Sequence, residues 1–169
     1  MIRRIATALA ALVLLAACAN SPAPGQATSP DLSPPPPATP SPEPTKADTA
    51  TEMANRIKAK VKSVTKVVTI TEDNDPNDLI GRPGGYTDGA IIYDSGVKCT
   101  ELGNGCGGTI EIWPTTAEAK ARSEYLRKVL KAAPMLGTEY HTLNGTALLR
   151  VTGKIKPSVA KIYAAAFTG

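Results

Sequence analysis

The rhythm of hydrophobic and polar positions changes along the chain, and each change marks an element. Ile5 to Leu15 is a largely apolar run of eleven residues, with Thr7 its one polar member, whereas from Ala19 to Lys46 only Leu32 is both bulky and apolar. Helical periodicity begins after that. Met53, Ile57, Val61 and Val64 recur at four, four and three residues, one stripe of an amphipathic helix. Thr49 and Glu52 stand just before it with the spacing of a capping box, in which each side chain bonds the other's backbone N–H. Arg56, Lys58, Lys60 and Lys62 take much of the remaining surface and predict its solvated face. Val64 to Ile70 is β-branched and alternating, so a strand follows almost at once.

Gly89 to Asp94 and Gly108 to Trp113 predict two further strands. Thr115 and Glu118 repeat the capping-box spacing and open the longest predicted helix, which runs to about Ala133 before Pro134. Its buried stripe is read as Ala121, Tyr125, Leu126, Val129 and Leu130, with Arg122, Arg127, Lys128 and Lys131 on the wet side. Glu139 to Leu143 and Ala147 to Thr152 alternate as strands around Asn144-Gly145, a hairpin signal because both residues tolerate positive φ. Pro157 suits a first helical position and starts a last helix, with Val159, Ile162, Tyr163 and Ala166 on its apolar side.

The predicted order is therefore α-β-β-β-α-β-β-α. Short hairpins imply antiparallel neighbours, and one apolar stripe per helix implies packing on a sheet. The expected class is α+β: a mostly antiparallel sheet of about five strands with about three helices on one face.

The apolar run near the start adds an address. Arg3 and Arg4 precede it, eleven residues are too few to span a bilayer, and Leu15-Ala16-Ala17-Cys18 follows. This tetrapeptide resembles the lipobox of bacterial lipoproteins, which implies cleavage before Cys18 and acylation of its thiol. The expected organisation is a signal peptide over residues 1–17, a lipidated Cys18 with a tether over 18–47, and a single domain over 48–169. Ten of the fifteen prolines lie in that tether. Such a composition buries too little apolar surface to offset the entropy of ordering it. Stretched as polyproline II, it would reach on the order of 90 Å. The expected location is the extracytoplasmic face of the bacterial cell membrane, with the membrane itself as first partner through the N-terminal lipid.

Composition narrows the chemistry. Residues 48–169 hold 16 Lys and Arg against 13 Asp and Glu, too mild a balance for nucleic-acid binding. Two cysteines remain besides Cys18, and Cys99 and Cys106 flank a glycine-rich segment; in an exported protein that favours a disulfide. Zinc needs about four ligands, and the chain has one histidine, His141, which sits in a predicted strand and is read as a structural or surface residue. Asp73, Asp75 and Asn77 stand at the first, third and fifth places of a calcium-loop pattern. That pattern breaks at Asp78, where glycine is wanted, and at Gly84, where a bidentate glutamate is wanted. Asp-Asn-Asp-Pro is also ordinary turn chemistry. Gly84-Gly85 predicts positive φ or a close approach, and Arg82 and Tyr86 suit either a partner contact or the pinning of this long loop to its own domain.

Three stretches carry a resemblance: Asp75-Pro76-Asn77-Asp78-Leu79-Ile80-Gly81-Arg82-Pro83 with Tyr86, Gly107 to Glu111, and Ala121 to Leu126. Together they resemble small exported lipoproteins of actinobacterial type. The resemblance implies location and fold and transfers no site residues. Nothing in the chain matches a nucleophile elbow, a zinc helix or a phosphate loop. The expectation is a tethered, non-catalytic binding or interaction module, with no cofactor and with a cell-wall polymer or an exported protein as partner. The alternatives are an inhibitor domain or a small extracytoplasmic enzyme, which would draw its site from Asp73, Asp75, Arg82, Tyr86, Asp88 or His141.

Overall fold

The computed structural model describes residues 47–169; the signal segment, Cys18 and the tether before Ala47 lie outside the described residues. The helix α1 (Ala50–Lys60) starts where Thr49 and Glu52 form the expected capping box, and Asp88 reaches across to accept the Ala50 N–H at 2.8 Å. β1 (Val64–Thr69) follows, then β2 (Asp88–Asp94), β3 (Gly107–Ile112), α2 (Thr116–Ala132), β4 (Glu139–Asn144), β5 (Ala147–Thr152) and α3 (Pro157–Thr168). The strands form one antiparallel sheet in the order β1-β2-β3-β5-β4. The α+β class, the five strands, the three helices and their order are as the sequence pattern predicts.

The hairpin between β4 and β5 differs in one respect. Asn144 pairs with Ala147, so the loop residues are Gly145 and Thr146, and of these only Gly145 takes positive φ, at 58°. Asn144 instead ends β4 and donates to the Phe167 carbonyl at 3.3 Å, tying α3 to the sheet.

The placing of the helices corrects the expectation that all three share one face. Pairing puts Ala90, Ile92, Ile110, Leu149 and Val151 on the first face, where they pack with Ile57 of α1 and Tyr163 and Phe167 of α3. The second face carries Ile91 and Leu148, covered by Ala119 of α2, Trp113, Tyr86 and Cys106. The physical reason lies in alternation: β2, β3 and β5 have buried side chains on both faces, so both must be covered. Among the described residues, the two cores draw on positions between Ala50 and Phe167, and Pro44–Gly169 forms one compact unit.

The face α2 turns inward also differs from the predicted stripe. Ala121 and Tyr125 are exposed, Tyr125 at 59%, whereas Ala119 and Ser123 are buried and Arg122, expected on the wet side, points at the sheet. Small and polar side chains let this helix lie close over charged strand residues, which the next subsection describes.

Candidate functional site

Under α2, the second face of the sheet holds a connected set of charges. β3 places Glu111 between Gly89 of β2 and Leu148 of β5, fully buried at 0% exposure. Its carboxylate accepts from Arg150 Nη1 at 2.7 Å, from Arg122 Nε at 3.2 Å and Nη2 at 3.3 Å, and from Trp113 Nε1 at 3.2 Å. Arg150, on β5, turns the rest of its fork to Glu139 of β4, with Nε and Nη2 donating at 2.9 and 2.8 Å. Two carboxylates and two guanidinium groups thus balance each other in a site where an unpaired charge would be costly.

The set continues in two directions. Toward the outer strand, the Glu139 carboxylate meets His141 Nε2 at 2.8 Å, and His141 Nδ1 lies 2.9 Å from the Ser123 hydroxyl on α2. Burial alone would raise the Glu139 pKa; the hydrogen bonds from His141 and Arg150, with the charge of Arg150, outweigh it and hold the group at about 2. Glu139 is therefore an acceptor, so Nε2 carries a proton, and in the neutral ring Nδ1 accepts from Ser123. Toward the long loop, Arg122 Nη2 donates to Asn77 Oδ1 at 3.2 Å, and the Asn77 amide donates to the Tyr86 hydroxyl at 3.4 Å.

That loop, residues 70–87, is organised by Asp75. Its carboxylate accepts from the N–H groups of Asn77, Leu79 and Ile80 and from the Tyr86 hydroxyl. Burial opposes the charged form, but these four donors hold the Asp75 pKa below its ordinary value. The Tyr86 pKa is raised, by burial first and then by its bond to Asp75. Tyr86 is 1% exposed and stands edge-on to Trp113, with ring centroids 5.9 Å apart. Of the two readings of this residue, partner contact is excluded by burial, and pinning of the loop is what it does.

The other sequence-predicted positions fall as follows. Asp78 takes the left-handed conformation at φ 53°, the turn a calcium loop gives to glycine, and its carboxylate pairs with exposed Arg82 four residues on. Gly84 has φ 76°, and a Cβ on Gly85 would lie 1.8 Å from the Leu79 carbonyl oxygen, so both glycines are required by the turn. Asp73 is exposed, while Asp75 and Asn77 face inward to the bonds just given; the three calcium candidates do not converge. Among the described residues no group of three or more His, Cys, Asp or Glu side chains is placed to hold a metal ion. Asp88 caps α1 rather than joining the charged set. Cys99 and Cys106 are at disulfide distance, Cα–Cα 4.3 Å, and close a loop whose Cys106 and Leu102 pack on the second face.

Of the enzyme candidates in the sequence, the fold brings His141 directly onto Glu139 and links Tyr86 and Asp75 to the same set through Asn77. The other members, which no sequence motif marks, are Glu111, Arg122, Ser123, Glu139 and Arg150. The signal was present in two of them: Glu111 sits between isoleucines in β3, and Arg150 sits between Leu149 and Val151 in β5. A charge inside a buried strand needs a partner, and the two strands are neighbours.

Ser123, His141 and Glu139 have the composition of a nucleophile, base and orienting acid, but not the disposition. Ser123 is 3% exposed, the His141 side chain 1%, and the serine meets Nδ1 while the carboxylate meets Nε2, the reverse of the usual triad. What the surface offers instead lies on the outer side of α2: a shallow groove of about 350 Å³ lined by Gly84, Trp113, Glu118, Ala121, Arg122 and Tyr125. No protein-family model matches the chain, and neither a curated protein nor a solved structure matches it.

Proposed function

We propose that the protein is a lipid-anchored component of the bacterial cell envelope whose domain is a non-catalytic binding module for a segment of another exported protein. The observation that carries the binding reading is the groove over α2. Exposed Tyr125 lines it together with Trp113 and Arg122, and Tyr, Trp and Arg are the side chains that most often dominate protein interfaces. Arg122 and Trp113 are both fixed from below by Glu111, so two walls of the groove are rigid before any partner arrives. The address rests on Leu15-Ala16-Ala17-Cys18 and the proline-rich stretch behind it, and on the resemblance to exported lipoproteins. Among the described residues no helix is long and apolar enough to cross a membrane; in this reading the acyl chains on Cys18 supply the anchor.

One experiment in intact cells tests both parts. The full chain is labelled with a palmitate analogue and crosslinked, comparing wild type, Cys18→Ala and Tyr125→Ala. The expected result is label on wild type and Tyr125→Ala but not on Cys18→Ala, with one stoichiometric protein partner captured by wild type and lost from Tyr125→Ala. Label retained by Cys18→Ala removes the anchor; capture unchanged by Tyr125→Ala removes the groove.

A further inference from the structure

Strand pairing sorts the connecting segments to two ends of the sheet, and the two ends differ in charge. Val64, Asp94, Gly107, Thr152 and Glu139 lie at one end, as the pairs Val64–Asp94, Tyr93–Gly107, Gly108–Val151 and Glu139–Thr152 require. The segments just beyond them carry Lys62, Lys98, Lys131, Lys154 and Lys156, all exposed. The opposite end holds the start of α1 and the long loop, with exposed Asp48, Glu72, Asp73 and Asp78. At the basic end, Glu139 is half-buried and Asp94 buried, and both are spent on partners: Arg150, His141, Ser63 and Tyr163. Glu101 is the exposed carboxylate there, in a loop that folds back beside Pro76.

The same end has an apolar tip. The 3-10 turn after α2, Pro134–Leu136, exposes Met135 at 91% and Leu136 at 63%. Leu136 shares a depression with Lys154, and Thr138 joins it to the one lined by Arg127, Leu130 and Lys131. Two large apolar side chains in water, with Lys154 in the same depression as Leu136 and Lys131 in the adjoining one, match the requirements of an anionic lipid surface: the lysines meet head groups and the tip enters the acyl boundary. A soluble polyanion would satisfy the lysines and leave Met135 and Leu136 unused. From this juxtaposition we infer that the basic end of the domain is a peripheral contact for anionic bilayers, separate from the groove on α2.

The test uses the compact unit Pro44–Gly169, which lacks Cys18, so its failure leaves the anchor reading untouched. Co-sedimentation is measured with vesicles of equal parts phosphatidylglycerol and phosphatidylcholine, and with phosphatidylcholine alone. Binding is expected to the anionic vesicles only, and to weaken as salt screens the lysines. Lys131→Gln with Lys154→Gln is expected to weaken it about thirty-fold, at about five-fold per lysine. Met135→Ser with Leu136→Ser is expected to weaken it about ten-fold. Lys120→Gln, on the other half of α2, is expected to leave it unchanged, and the circular dichroism of every variant to match wild type because all these side chains are exposed. The inference is overturned by absence of binding, by equal binding to phosphatidylcholine, by an equal loss in Lys120→Gln, or by binding that ignores Met135 and Leu136 and is matched by inorganic polyphosphate.

Discussion

The two faces of the sheet are made by the same strands and held by different physics. On the first, α1 and α3 bury Ile57, Tyr163 and Phe167 against Ile92, Ile110 and Leu149, contacts that are non-directional and tolerate exchange at constant volume. On the second, α2 lies over Glu111, Arg150, Glu139 and His141, contacts that stabilise only in one geometry. The difference teaches how this sheet keeps its register. A slip of one residue in β3 or β5 would drive Glu111 or Arg150 into the apolar face and pull Ile110 or Leu149 out of it. The apolar face supplies most of the driving force, and the charged face penalises every other pairing.

That comparison is broken most directly at Glu111. Glu111→Ala leaves Arg122 without its ion-pair partner and Arg150 with half of its own, both under α2, and is expected to cost about 3–5 kcal/mol in urea unfolding. Replacing the whole set at once, with Glu111→Leu, Arg122→Leu, Glu139→Leu and Arg150→Met, is expected to cost less than the single change, because no charge is left alone. A loss below about 1 kcal/mol for Glu111→Ala would show that the charges are solvated in the folded state and that the two faces do not differ as described.

The same contrast explains what could be read from the sequence. The apolar stripes of α1 and α3 and the alternation in β2, β3 and β5 are local patterns, and each observed element starts within a residue of the expected place, although α1 ends at Lys60, short of the Val64 its stripe includes, and Ile162 of α3 is exposed. The stripe of α2 misleads because its packing partners are polar: a helix over charged strands turns Ala119, Arg122 and Ser123 inward and leaves Tyr125 outside. Periodicity scores apolar residues, so in the first half of such a helix it selects the wrong positions, while Leu126, Val129 and Leu130 in the second half are half-buried. The single-face arrangement does not hold because β2 and β5 carry apolar residues on both faces, Ile91 beside Ile92 and Leu148 beside Leu149, so each side needs a cover. Among the residues that touch Glu111 and Glu139, His141 stands out in the sequence because its residue type is rare in the chain, whereas an arginine on a helix is ordinarily a solvated one.

Acid sharpens the comparison by acting on one face. The Glu139 pKa is near 2 in the fold against an ordinary 4.5, a depressed value, so its contribution is full above pH 4.5 and is lost as pH falls toward 2. The loss is expected to reach up to about 3 kcal/mol over that window. Asp75, also held below its ordinary value, acts in the same direction. Thermal melts across the window should therefore fall steeply for wild type and less steeply for Glu139→Gln. Parallel curves would mean that Arg150 and His141 do not hold Glu139 ionised.

The smallest change probes whether the charged face reacts or only holds. Ser123→Ala removes one buried hydrogen bond, to His141 Nδ1, and leaves every ion pair in place. A structural role predicts a loss of about 1 kcal/mol, the usual range for one such bond. It also predicts that a fluorophosphonate, which traps serines activated by a neighbouring base, labels neither wild type nor variant, since Ser123 is 3% exposed and faces the sheet. Labelling of wild type that disappears in Ser123→Ala would reverse the reading. α2 would then have to lift off its strands to admit a substrate, and the set that fixes the register of the sheet would double as acid–base machinery.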